Sequence, residues 1–285
     1  MKLKYVLPAI CIASLLTACG STAHTTVESP EPSPSAVSAM DEALKLTSEW
    51  GELDTGKADS SEYRLPTKGT EHFSKEQVDK VASDVVELLQ NQLQYQSAES
   101  QDDVLNDVDA FVSDAPGKLA GYMKTASKED ASKDKPIWPL IYVQPIDSKY
   151  KVEDASQSTY AWNVKEQEMY ETDGVTVTLF HRSFYKVQNS KGDESFLLVA
   201  RWLELSTIDP DYAATSGDYA WQLDVSMRGV EVCDALTRSL LVPTPNTEPI
   251  EGDLETLLKV TPSDFKPKSD FKESEKNLAE AAEKC

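Results

Sequence analysis

The sequence predicts an α+β fold: N-terminal helices packed on one face of a curved antiparallel sheet, with an irregular C-terminal tail ending in a helix. Three observations carry this expectation. Apolar residues recur at three- and four-residue steps as far as Met123. From Pro136 to Arg228 the period changes to two, and beyond Cys233 prolines crowd an irregular stretch.

A short amphipathic helix is expected near Ser38, with Met40, Ala43, Leu44 and Trp50 on one side, and residues 51–72 read as loop. Ser74-x-x-Gln77 has the form of a capping box, in which each side chain covers an orphan amide of the first turn. Behind it Val78, Val81, Ala82, Val85, Leu88, Leu89 and Leu93 form one apolar stripe facing a core. A second helix is expected over about Gln101–Ser113, on Val104, Leu105, Val108, Phe111 and Val112. Pro116 opens a third, short one through Met123, and Ser127–Lys135 reads as a charged loop. Ile137–Ile146, with Pro139 and Pro145, reads as an edge strand because proline lacks the ladder N–H. Tyr160–Tyr170 is a weaker strand and Val175–Val187 a stronger one. Lys191-Gly192-Asp193 turns that strand into Phe196–Leu205. Tyr219, Trp221, Leu223, Val225 and Met227 alternate with polar or small residues, as a half-buried strand does, and Cys233 closes that strand. A last helix is expected near Ser269–Lys284, with Phe271, Leu278 and Cys285 on one face.

The chain begins with Lys2 and Lys4, a short apolar run over Tyr5–Leu16, and then Leu16-Thr17-Ala18-Cys19. About 20 apolar residues are needed to cross a bilayer, so this run is too short for a span and has the layout of a cleavable signal peptide. The tetrapeptide resembles the lipobox of bacterial lipoproteins. That resemblance implies cleavage before Cys19, a diacylglycerol on its thiol, and a stable two-chain anchor. It places residues 1–18 in the signal peptide and leaves Cys19 as the lipid attachment site. Gly20 follows, where lipoproteins kept at the inner membrane of two-membrane bacteria often have Asp. The resemblance therefore implies the outer membrane in such a host, and the outward face of the cell membrane in a one-membrane host. Residues 19–37 carry Pro30, Pro32 and Pro34 among Ser, Thr and Glu, a composition that cannot build a core and serves as a tether. Residues 38–235 are expected to form the α+β domain and 236–285 its irregular extension.

The formal charge is −21, and removing residues 1–18 takes away two lysines and no acid. So acidic a chain lacks the basic footprint that nucleic acid or anionic lipid requires. Of four cysteines, Cys11 leaves with the signal peptide and Cys19 is acylated. Cys233 and Cys285 then remain in a compartment that permits oxidation. A bridge between them would close a loop of about fifty residues, worth about 4 kcal/mol in the chain-entropy model. The alternative is two free thiols. No Cys-x-x-Cys marks a redox centre.

Catalytic motifs are missing. The sequence has no His-Glu-x-x-His, no Gly-x-Ser-x-Gly and no phosphate-cradling glycine loop, so no cofactor is expected. His24 lies in the tether, and His72 has no metal partner at local spacing. His181 shares its strand parity with Ser183 and Tyr185, and with Arg201 or Glu204 on the next strand it could line a pocket. The plainer alternative is a histidine at a sheet rim. The ligand-binding candidates are therefore His181, Tyr185 and Arg201. Asp209-Pro210-Asp211 through Gly217-Asp218 could form a weak cation loop, while Asp107 and Asp109 diverge on a helix. Trp202 and Trp221 alternate with apolar neighbours and read as core, not as sugar-stacking platforms.

The order of helices followed by long antiparallel strands over residues 74–233 resembles the cone-shaped domains of the nuclear transport factor 2 superfamily, which occur in bacterial envelope lipoproteins. The expected function is a non-catalytic, lipid-anchored envelope protein that binds a protein partner or small ligand outside the membrane. The alternative is an envelope hydrolase whose site is assembled around His181.

Overall fold

The computed structural model describes residues 54–57, 63–66, 68–132, 138–152, 157–244 and 284–285. Strand β1 (Asp54–Lys57) falls where the periodicity suggested only loop, because it is set by antiparallel pairing with the distant β5 (Gln157–Met169) and not by a local pattern. The helix expected near Ser38 and all but the last residue of the one near Ser269–Lys284 lie outside the described residues.

Helix α1 (Lys75–Leu93) starts as its sequence dictates. The Ser74 hydroxyl accepts from the Gln77 amide, and the Gln77 side chain accepts from the Ser74 amide. All seven residues of its expected stripe are buried. Strand β2 (Ser97–Ala98) follows, and α2 (Gln101–Ser113) then begins at a second capping box between Ser100 and Asp103. Helix α3 (Lys118–Ser132) corrects the charged loop expected from Ser127. Its buried positions Leu119, Met123, Ser127 and Asp130 continue the helical step. The Tyr142 hydroxyl donates to Asp130 at 3.3 Å, so a carboxylate that looks like surface in the sequence lies in the interior.

The edge strand expected over Ile137–Ile146 is also corrected. Trp138–Tyr142 forms the short helix α4, with Pro139 in its first turn, where the missing N–H costs nothing. Its last carbonyls find side-chain donors. The Gln92 amide reaches the carbonyls of Ile141 and Tyr142 at 3.2 and 2.8 Å, and that of Gln144 reaches Leu140 at 2.8 Å. Only then comes the two-residue strand β3 (Ile146–Asp147), parallel to β2.

Strand β4 (Lys151–Val152) pairs with the end of β6 (Thr172–Gln188), and β7 (Glu194–Thr207) and β8 (Ala220–Arg228) complete an antiparallel sheet of order β1-β5-β6-β7-β8. The β6–β7 turn is where Lys191-Gly192-Asp193 predicts it, with Gly192 at φ 88° and the Asn189 side chain accepting from the amides of Lys191 and Asp193. Between β7 and β8 lies helix α5 (Pro210–Ser216), which ends on Gly217 at φ 67°. A Cβ on Gly217 would stand 2.0 Å from the Pro116 carbonyl, so glycine lets α5 close against the start of α3.

Past β8, Gly229 at φ 71° breaks the strand, and Cys233 lies in helix α6 (Val232–Arg238), not at a strand end as the alternation suggested. The chain then returns to the body. Leu240 and Leu241 are buried, and Leu241 exchanges backbone bonds with Pro145 and Asp147 at 2.9 and 3.1 Å.

The sheet has two unlike faces. Odd-numbered residues of β6 and β7, such as Val177, Leu179, Val199 and Leu203, join the buried residues of the helices in one hydrophobic core. Helices and an open antiparallel sheet thus share one core, a mixed α+β fold. On the opposite face Phe180, Ala200 and Trp202 form a separate buried cluster.

Candidate functional site

Strand register decides where the candidate residues meet. His181 of β6 lies directly opposite Arg201 of β7, and strand alternation puts Ser183 and Tyr185 on the same face. The Arg201 guanidinium spreads over all of them. Its Nε donates to Gln144 Oε1 at 2.7 Å, one terminal nitrogen donates to Ser183 Oγ at 3.0 Å, and the other donates to the Tyr185 hydroxyl at 3.3 Å. The nitrogen that holds Ser183 also stands 3.4 Å from His181 Nδ1. Glu204 does not join them. It projects from the other face, where it accepts from Thr178 Oγ1 at 2.9 Å.

A guanidinium only donates, so His181 Nδ1 must accept from it. The ring proton then sits on Nε2, which donates to the Tyr63 hydroxyl 3.3 Å away. Tyr63 in turn stands edge-on to the rings of Tyr160 and His181, with centroids 5.0 and 5.9 Å apart. Its neighbour Arg64 fixes this segment on β5. The Arg64 amide donates to the Tyr160 hydroxyl at 2.8 Å, and the Trp162 indole donates to the Arg64 carbonyl at 2.7 Å.

His181 is therefore no rim residue: it is fully buried. Burial holds its basicity well below the ordinary histidine range, and the charges of Arg201 and Arg182 push the same way. Among the described residues no carboxylate hydrogen-bonds to it. A general base needs a lone pair aimed at a substrate proton, and here the Nδ1 lone pair faces Arg201. The cluster is a buried cationic lock, one guanidinium held among neutral side chains.

The remaining candidates separate. Cys19 lies outside the described residues. Cys233 and Cys285 lie at disulfide distance, with Cα atoms 5.2 Å apart. The cation loop expected at Asp209–Asp218 does not form, because each carboxylate already has a partner in the chain. Asp209 caps α5 through the Tyr212 amide, Asp211 pairs with Lys80, and Asp218 pairs with Lys118 at 2.9 Å. Trp202 is buried, and Trp221 packs against the core beside Tyr142, as their alternation predicts.

One constellation is invisible at local spacing. His72, just ahead of α1, meets Glu166 of β5, 94 residues away. Its amide donates to Glu166 Oε1 at 2.6 Å, and its Nδ1 stands 3.0 Å from Oε2. Asp173 of β6 approaches the same ring nitrogen to 3.7 Å, and Glu71 completes the group. The hydrogen bond to Glu166 raises the basicity of His72, and Asp173 adds to the effect. Glu166 is held down to about 2, first by the His72 amide. No protein-family model matches the chain, and no curated protein or solved structure is significantly similar to it.

Proposed function

We propose that this chain is a lipid-anchored protein of a bacterial cell envelope, and that its α+β body works outside the membrane by binding a protein partner or small ligand. The observation that carries the reading is Leu16-Thr17-Ala18-Cys19, set directly after a short apolar run that follows two lysines. Thiol acylation anchors the chain through Cys19, and residues 20–37 hold the body away from the bilayer. In a two-membrane host the outer membrane is its place.

The hydrolase alternative loses support from the chemistry of His181. Its Nδ1 accepts from a cation and its Nε2 proton is engaged by Tyr63, so neither nitrogen is disposed to take a substrate proton. A binding role needs no such group. Among the described residues no helix is long and apolar enough to cross a membrane.

The test is metabolic labelling with a clickable fatty acid in a bacterial host. Wild type should incorporate label and run as a processed form. Cys19→Ser should incorporate none and accumulate as precursor. Equal labelling of the two ends the lipoprotein reading.

A further inference from the structure

We propose that Glu71, His72 and Glu166, with Asp173 at their edge, form a binding site for a divalent first-row transition ion of the zinc type. The site lies at the junction of the loop before α1 with β5 and β6. It stands apart from the Arg201–His181 cluster and does not depend on the lipid anchor.

Geometry comes first. One ligand atom from each of Glu71, His72 and Glu166 can be chosen so that all lie within 4.8 Å of one another. Bonds of about 2.0–2.2 Å put tetrahedral donors about 3.4 Å apart around zinc. His72 Nδ1 stands 3.0 Å from Glu166 Oε2 and 3.7 Å from Asp173 Oδ2, which brackets that spacing. The side chains need only small rotations, and Glu71, His72 and Asp173 are exposed enough to make them.

The frame beneath is firm. Glu166 is on a strand paired along its whole length with β6, and the same register brings Asp173 to the adjoining strand. His72 is tied by its amide to Glu166 and is followed by buried Phe73, whose carbonyl accepts from the Thr70 amide at 2.8 Å. The loop is tight enough that a Cβ on Gly69 would stand 2.4 Å from the Phe73 carbonyl. The donor atoms are thus presented by two strands and an anchored turn.

Charge and donor type name the ion. Among the described residues no lysine or arginine pairs with Glu71, Glu166 or Asp173, whereas Asp211 and Asp218 each have a lysine. Three carboxylates facing one imidazole leave an unbalanced negative charge that a dication offsets. Imidazole nitrogen suits zinc, nickel and iron over calcium or magnesium, and carboxylate oxygens without thiolate disfavour copper(I). The exposed side of the group leaves room for water in the remaining positions.

The test uses the purified full-length chain in detergent, stripped with chelator, and titrated calorimetrically with zinc chloride at pH 7.5. One saturable site per chain is expected. His72→Ala and Glu166→Gln should each weaken it by about tenfold or more, since even outer partners of a metal site are worth that much. Asp173→Asn should weaken it less, and His24→Ala should leave it unchanged. Thermal melts of the metal-free variants check that they remain folded. Calcium chloride at the same concentrations should neither saturate the site nor displace zinc. Absence of saturable zinc binding, unchanged affinity in both main variants, loss only in His24→Ala, or equal affinity for calcium would each overturn the proposal. None of these outcomes bears on the anchor, which is read by labelling at Cys19.

Discussion

Arg201 is 3 % exposed, and the partners around it are the neutral side chains of Gln144, Ser183, Tyr185 and His181. Its charge is stabilised by dipoles, so every acceptor in the ring has to be held in place. Gln144 meets this by spending its oxygen on Arg201 and its nitrogen on the Leu140 carbonyl. His181 meets it by staying neutral, which has a consequence for stability. Its pKa in the fold is depressed, whereas in the unfolded chain it is near 6.5. Below about pH 6.5 the unfolded chain therefore binds a proton that the folded chain refuses. Stability should fall with pH by up to about 1.4 kcal/mol per unit on account of this one group. His181→Gln keeps an acceptor for Arg201 and a donor for Tyr63 but does not titrate. The difference in unfolding free energy between wild type and His181→Gln should shift by about 1 kcal/mol per unit from pH 6.5 to 5.5. His72, whose basicity is raised, pulls the other way in both proteins and cancels in the difference. Parallel urea-unfolding curves across that range would show that protons reach His181 in the folded state.

At the scale of elements, the β5–β6 hairpin carries a cost. Met169 pairs with Thr172, leaving Tyr170 and Glu171 as the two central residues, at φ 54° and 63°. Both positions need the left-handed region, where Asn and Gly are at ease and Tyr and Glu are not. The Tyr170 ring is mostly solvated and contributes little packing in return. Replacing the pair by Asn-Gly should raise the unfolding free energy by about 1 kcal/mol, read from the urea midpoint at unchanged slope. A lowered midpoint would mean that the two side chains make contacts that outweigh the strain. The short helix α4 illustrates the opposite situation. Five residues with two aromatic rings make a poor helix alone, and donors from Gln92 and Gln144 satisfy its end.

For the whole molecule, a bridge between Cys233 and Cys285, which lie at disulfide distance, would tie Cys285 to α6 across a sequence separation of 52. Constraint of the unfolded chain over such a loop is worth about 4 kcal/mol in the chain-entropy model. Reduction, or Cys285→Ser, should lower the unfolding free energy by that order while the sheet remains folded. Intact mass after alkylation, with and without reductant, checks the bond directly. Two thiols alkylated without reductant in protein taken from its envelope would show that the bridge is absent there. Among the described residues the core runs through the helical face of the sheet as far as Leu240 and Leu241.

The sequence by itself determined the elements whose cause is local. The capping box at Ser74 and Gln77, the apolar stripes of α1 and α2, the β-branched and aromatic run of β6, the alternation of β8 and the turn at Gly192 are all set by neighbours within four residues. It also brought out His181, Ser183, Tyr185 and Arg201 as residues that could share a face, because strand parity is a local property. Tertiary structure alone decided everything that depends on a partner far along the chain. Residues 138–142 became helix because Gln92 reaches their carbonyls, and α3 runs past Ser127 because Asp130 finds Tyr142. Asp209, Asp211 and Asp218 lost their cation loop to a helix cap and two lysines. His72 gained Glu166 and Asp173 only when β5 and β6 came into register. Periodicity reports which side of an element is buried, and only the fold says which residues stand there to meet it.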